Sequence, residues 1–160
     1  MSRARNFVNY WLLPLLWILV IYGASGDTES AQHSSRIIGP IVRWLFPALP
    51  EARIELVVLV IRKCAHLAEY TLLALLLWRA LWKPVRHDPR PWNWTAACRA
   101  VLLVALYAAS DEFHQTFVPS REGTVGDVVL DTVGAVAGLL MAAAVYHWRH
   151  RRQEPPPTEA

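Results

Sequence analysis

At 160 residues the chain has room for one domain, read here as 1–153 with a disordered tail at 154–160. It is 54% apolar with eight tryptophans and positive mean hydropathy, which argues against a soluble globule and for a polytopic membrane protein. The net charge of +3 is small and no basic cluster alternates with aromatics, so nucleic acid is not an expected partner.

A helix needs about 20 mostly apolar residues to cross a bilayer. Four stretches qualify: Phe7 to Ala24, Cys64 to Trp82, Thr95 to Phe117 and Asp127 to Trp148. The expected fold is all-α, a four-helix transmembrane bundle with an extracytoplasmic amphipathic or re-entrant segment. The first stretch also has signal-peptide features, since Arg3 and Arg5 precede it and small Ala24, Ser25 and Gly26 follow. Its length favours a span, with Trp11, Trp17 and Tyr22 as interfacial anchors. Ser25 to Gln32 reads as a polar loop. Ile37 to Leu49 is apolar but broken by Gly39, Pro40 and Pro47, and is expected to lie in the outer interface or re-enter it. Glu51 to Arg62 reads as a helix running straight into the second span. Lys83 to Trp94, with Pro84, Pro89 and Pro91, reads as an ordinary connector, and the proline-rich end has no core to join.

The Lys and Arg distribution orients these spans. With both termini in the cytoplasm, the inner side holds Arg3, Arg5, Arg79, Lys83, Arg86, Arg90, Arg99, Arg149, Arg151 and Arg152. The outer side holds Arg36, Arg43, Arg53, Arg62, Lys63 and Arg121, so the positive-inside rule favours this orientation. Trp78, Trp82, Trp92, Trp94 and Trp148 would form an inner aromatic belt. Cys64 and Cys98 fall near opposite faces, too far apart for a disulfide, and Cys64 is expected as a small buried filler.

This orientation gathers ionisable residues on the outer side, where charge near hydrocarbon is costly unless paired or hydrated. Lys63, His66, Glu69 and Tyr70 share about a third of one helix's circumference. Asp111 and His114 are an i, i+3 pair beside Glu112 and Gln115. Asp127 and Asp131 are i, i+4, and their stripe continues to Gly134 and Gly138, a small-xxx-small seam. The bland reading is a structural ion-pair network with snorkelling bases. Buried ion pairs rarely outperform apolar replacements, and two histidines among several carboxylates titrate near neutrality. Both points favour a site.

The segments Arg62-Lys63-Cys64-Ala65-His66-Leu67-Ala68-Glu69-Tyr70 and Ser110-Asp111-Glu112-Phe113-His114-Gln115-Thr116-Phe117-Val118-Pro119 resemble the VanZ-like family of membrane proteins. Ser120-Arg121-Glu122-Gly123 and Asp127-Val128-Val129-Leu130-Asp131-Thr132-Val133-Gly134 extend the pattern, so the resemblance covers 62–140. Ser120 departs from it, standing where the family commonly has glycine. The resemblance implies a bacterial inner-membrane protein of the kind first linked to teicoplanin resistance.

Three functions compete. In the first, an enzyme acts on a lipid-linked or cell-envelope precursor. Glu69, Asp111 or Glu112 is then the general base and His66 or His114 the acid. Lys63 and Arg121 hold an anionic group, and Tyr70, Gln115, Asp127 and Asp131 complete the binding surface. A variant places a divalent metal on His66, Glu69, Asp111 and His114, since i, i+3 pairs of this kind build metal sites in bundles. In the second, the protein binds a lipid or lipoglycopeptide without chemistry. A third, an ion-coupled carrier, is weaker because the inner halves of the spans carry no acidic relay.

Overall fold

A computed structural model describes residues 3–26, 28–84, 90–117 and 123–152, with side chains from 7 to 25 and from 36 onward within those ranges. The described residues form five helices: α1 (Arg3–Gly26), α2 (Thr28–Leu45), α3 (Glu51–Trp82), α4 (Trp94–Gln115) and α5 (Val125–Arg151). Each expected span lies in one of them, except that α4 stops at Gln115, two residues short of the expected end. The predicted helix from Glu51 does continue into the second span: α3 has 32 residues, about 48 Å at 1.5 Å per residue.

The helix ends have local causes. Asn93 caps α4, its side chain accepting from the Ala96 N–H at 2.8 Å. Thr124 caps α5 in the same way, accepting from Asp127 N–H at 3.1 Å, and Asp127 places negative charge at the positive end of the dipole. α3 ends at Lys83, which adopts the left-handed conformation (φ 51°) and donates its N–H to Arg79 O at 2.9 Å. Pro84 then prevents continuation.

α3 is the central rod, packing against each of the other four helices, while α1 and α5 also pack on α4. Their contacts fix direction. Lys63 with Asp127, and Thr71 with Gly134, align α3 and α5 in parallel. α1 runs antiparallel to α3, through Trp17 with Glu69 and Asn9 with Arg79, and parallel to α4, through Ile18 with Tyr107 and Ser25 with Gln115, so α4 is antiparallel to α3 and α5. The core is built from small residues, with Ala97, Ala100, Val104 and Ala108 on α4 meeting Ala135, Leu139 and Ala143 on α5 and Tyr70, Leu73 and Leu77 on α3. Large apolar side chains cover the outside instead, among them Leu12, Leu16 and Leu19, Leu102 and Leu106, and Leu140 and Met141. An apolar exterior around polar interior groups suits a hydrocarbon surround. By length and composition two described segments could cross a membrane, Phe7–Ser25 and Val125–Arg151. α3 and α4 interrupt their apolar runs with Lys63, Glu69 and Arg79, and with Arg99, Asp111 and Glu112.

Several expectations are corrected. The described residues of Ser25 to Gln32 are helical and not an open loop: α1 extends to Gly26 and α2 starts at Thr28. Thr28 and Glu29 are residues that open helices, and the apolar period behind them draws the polar stretch into the first turns. Gly39 and Pro40 do not break α2; the chain turns only between Phe46 and Pro50. Cys64 is exposed. It lies about 120° around α3 from the buried face of Tyr70. Trp82 and Trp92 are buried, and Trp92 stacks on Trp78 at 4.3 Å. Part of the expected belt is therefore a packed aromatic cluster, and Trp92 carries the connector into the core. Trp17 is likewise tied into the bundle, donating to Glu69 O at 3.0 Å. Arg121, Ser120 and the 154–160 tail lie outside the described residues.

Candidate functional site

The glycine seam sets the geometry. A Cβ on Gly134 would stand 2.9 Å from the Leu67 carbonyl oxygen, and one on Gly138 would stand 2.5 Å from the Thr71 methyl. The two backbones therefore approach as only glycine permits, and Thr71 Oγ1 donates to Gly134 O at 2.7 Å. One to two turns along, the same approach brings Lys63 onto Asp127 as a hydrogen-bonded ion pair. Both side chains keep some exposure, so its net contribution is at most about 1 kcal/mol.

Deeper in, Asp111 is the hub of a buried network. Its Oδ2 accepts from Tyr70 OH at 3.1 Å and from Gln115 Nε2 at 3.0 Å. Gln115 Nε2 also donates to Ser25 Oγ at 2.9 Å, which joins α1 to the same network. The neighbouring Glu112 accepts the Thr124 N–H on Oε2 at 2.8 Å, pinning the start of α5 to the end of α4. Gly123 makes this close fit, since a Cβ there would fall 2.1 Å from the Glu112 carbonyl oxygen. Asp111 and Glu112 thus spend hydrogen-bonding capacity on assembly.

Asp131 differs from both. It is 1% exposed, and among the described residues neither carboxylate oxygen has a hydrogen-bond partner. Among the described residues the charges that bear on it are Glu112, Asp127, Asp111 and Lys63. A buried polar group ordinarily has a partner, and a buried carboxylate without one costs several kcal/mol. His114 also has a buried Nδ1 with no partner among the described residues, and its ring lies 5.1 Å from Tyr22. His66 and Glu69 are half-buried on α3. Among the described residues, no three of the His, Cys, Asp and Glu side chains form a group able to hold a metal ion, so His66, Glu69, Asp111 and His114 do not assemble as one.

Lys63, Tyr70, Asp111, Glu112, Gln115, Asp127 and Asp131 therefore gather at one end of the bundle. Sequence reasoning missed Ser25, Tyr22 and Thr124. Thr124 was within reach, because Thr-x-x-Asp before an apolar run is a capping signal. Ser25 carried none, being one small residue among several.

A family model described as VanZ/LLP1 matches residues 7–146. The match takes in α1 and α2 as well as the 62–140 stretch that carries the resemblance. No curated protein and no solved structure matches the chain.

Proposed function

The chain belongs to the VanZ/LLP1 family, and from that premise we propose a bacterial inner-membrane protein whose polar end acts on a lipid-linked or cell-envelope substrate. In this reading α1, α3, α4 and α5 all span, both termini are cytoplasmic, and α2 lies in the outer interface. The Lys and Arg distribution supports the orientation. The exposed Ile37, Ile41, Trp44 and Leu45 stripe of α2 supports its place against lipid. One domain accounts for the chain up to residue 153, and a link to glycopeptide resistance of the teicoplanin type falls within the same reading.

The observation that carries the proposal is Asp131. A carboxylate buried without a partner among the described residues contributes nothing to folding, so a role towards a ligand accounts for it better than a role in packing. Asp131 is then the reacting or ligand-binding acid, and Lys63–Asp127 is the adjacent polarising pair. Asp111 and Glu112 hold the frame, and in this reading His66, Glu69 and His114 exchange protons with a substrate, a role that rests on their chemistry alone. A second reading, a non-catalytic binder of lipid or lipoglycopeptide, is favoured by one specific fact: Asp111 and Glu112 already serve structural hydrogen bonds.

Envelope lipids and precursors should be profiled in a deletion strain complemented with the wild type or with Asp131→Asn, Glu69→Gln or His114→Ala. An enzyme predicts a precursor that accumulates in the deletion and in Asp131→Asn, with normal membrane insertion of the variant. A binder predicts unchanged lipid chemistry but lost retention of the lipid on the purified variant. Full complementation by all three variants would remove both readings.

A further inference from the structure

Among the described residues, the charged groups that bear on Asp131 come from every helix packed against α5. Asp111 and Glu112 lie on α4, Lys63 on α3, and Asp127 one turn before it on α5 itself. The Tyr70 phenol on α3 is a further ionisable neighbour. What separates the four acids is the donors each one has.

Three of them are well supplied. Asp111 Oδ2 accepts from Tyr70 OH and Gln115 Nε2, and Glu112 Oε2 accepts the Thr124 N–H. Asp127 is paired with Lys63 in the first turn of α5, at the positive end of its dipole. Asp131 lies one turn further along the same face of α5, 1% exposed, and neither of its oxygens meets a donor among the described residues. Lys63, the base that bears on it, is already bonded to Asp127.

A negative charge on Asp131 is therefore the costliest arrangement open to the cluster. An acid buried away from water, with no donor and with other acids around it, sheds its charge by taking a proton, because a neutral carboxyl costs far less to bury. Interacting acids share their protons as a set, and the shared proton rests on the member without donors. A metal ion does not fit in its place, since no three of the described acids converge closely enough to hold one.

We propose that Asp131 is a proton-binding site, neutral in the resting protein and kept so because Asp127 holds Lys63. The use of that proton rests on the proposed function: Asp131 enters the reaction as an acid. Its O–H bond breaks as the proton passes to an oxygen or nitrogen of the substrate, and the carboxylate left behind draws Lys63 from Asp127. A proton from the aqueous side then restores the acid.

The test is infrared spectroscopy of the full chain at pH 7, purified in a detergent without ester or carboxyl groups and with no substrate present. The wild type should show a carboxylic-acid carbonyl band that moves when aspartate, and not glutamate, carries a heavy-isotope carboxyl. That band should vanish in Asp131→Asn, and the labelled wild type answers on its own if this variant fails to insert. Asp127→Asn, which frees Lys63 to pair with Asp131, should weaken the band at least twofold, whereas Lys63→Gln should leave it at full strength or raise it. A wild type without an aspartic-acid band, a band that survives Asp131→Asn, or one unaltered in Asp127→Asn would overturn the proposal. It can fail separately from the proposed function. The band together with full complementation by Asp131→Asn upholds the proton and removes the reacting acid, and no band together with lost complementation does the reverse.

Discussion

Gly134→Ala and Gly138→Ala look equivalent in sequence, yet the structure separates them. On Gly134 the new methyl would stand 2.9 Å from both the Leu67 carbonyl oxygen and the Leu67 Cγ. Backbone cannot rotate away, so α3 and α5 must separate by roughly 0.5 Å to reach ordinary contact near 3.4 Å. Overpacking of this kind costs about 1–3 kcal/mol, offset by up to about 1 kcal/mol of helix propensity. On Gly138 the clash is closer, 2.5 Å, but its partner is the Thr71 methyl. Thr71 can turn aside only by giving up its bond to Gly134 O, a loss of about 0.5–1.5 kcal/mol. Thr71→Ser deletes that methyl and keeps the hydroxyl, so it should rescue Gly138→Ala and leave Gly134→Ala unrescued. Reversible unfolding in mixed micelles, followed by helicity as sodium dodecyl sulfate is raised, compares the wild type, Thr71→Ser and each glycine variant with and without Thr71→Ser. Equal rescue of both variants, or a neutral Gly134→Ala, would refute the close approach of α3 and α5 on which the site depends.

Four further outcomes follow from named contacts. Tyr70→Phe removes the hydroxyl from buried Asp111 and should cost about 1–3 kcal/mol in the same unfolding assay. Thr124→Ala removes the α5 cap and should cost about 1 kcal/mol, while Thr124→Ser should cost much less. Exchanging the ion pair as Lys63→Asp with Asp127→Lys should restore most of the stability that Lys63→Asp alone removes by placing like charges together, measured as a double-mutant cycle. The hydrogen bond from Arg43 holds the exposed Glu51 carboxyl below its ordinary 4.5, so the tie between α2 and α3 persists above that value and is lost as pH falls through the lowered one. Spin-label distances between α2 and α3 should therefore stay constant from pH 7 to 5 and broaden only in stronger acid.

The sequence was most legible where period and chemistry agreed. That Asp127 and Asp131 face inward was legible, because i, i+4 acids continuing into Gly134 and Gly138 mark an inward stripe. The sequence left Lys63, Arg62 and Arg121 as alternative partners, and the structure pairs Lys63 with Asp127. The long α3 could be read for the same reason: Glu51 to Trp82 holds no proline and few residues of low helix propensity. Other features depend on partners distant in the chain. Ser25 and Gln115 are 90 residues apart, and no local pattern announces their bond. Asp111 and Asp131 both lie on inward faces, so spacing could not tell the bonded acid from the orphaned one; only the positions of Tyr70 and Gln115 decide that. Tryptophan at a helix end suits a bilayer interface and a packed cluster equally well, and Trp82 and Trp92 chose the cluster because Trp78 and Tyr146 are within ring contact.

The account rests on α3, α4 and α5 delivering their polar groups to one end that faces away from the cytoplasm. With Cys64 and Cys98 replaced by serine, single cysteines at His66 and at Asp127 can be labelled in intact cells with a membrane-impermeant maleimide. Both should react from outside, and a paired Lys63→Cys, Asp127→Cys chain should cross-link. Reaction of His66→Cys and Asp127→Cys from opposite faces of the membrane would contradict the shared site and everything inferred from Asp131.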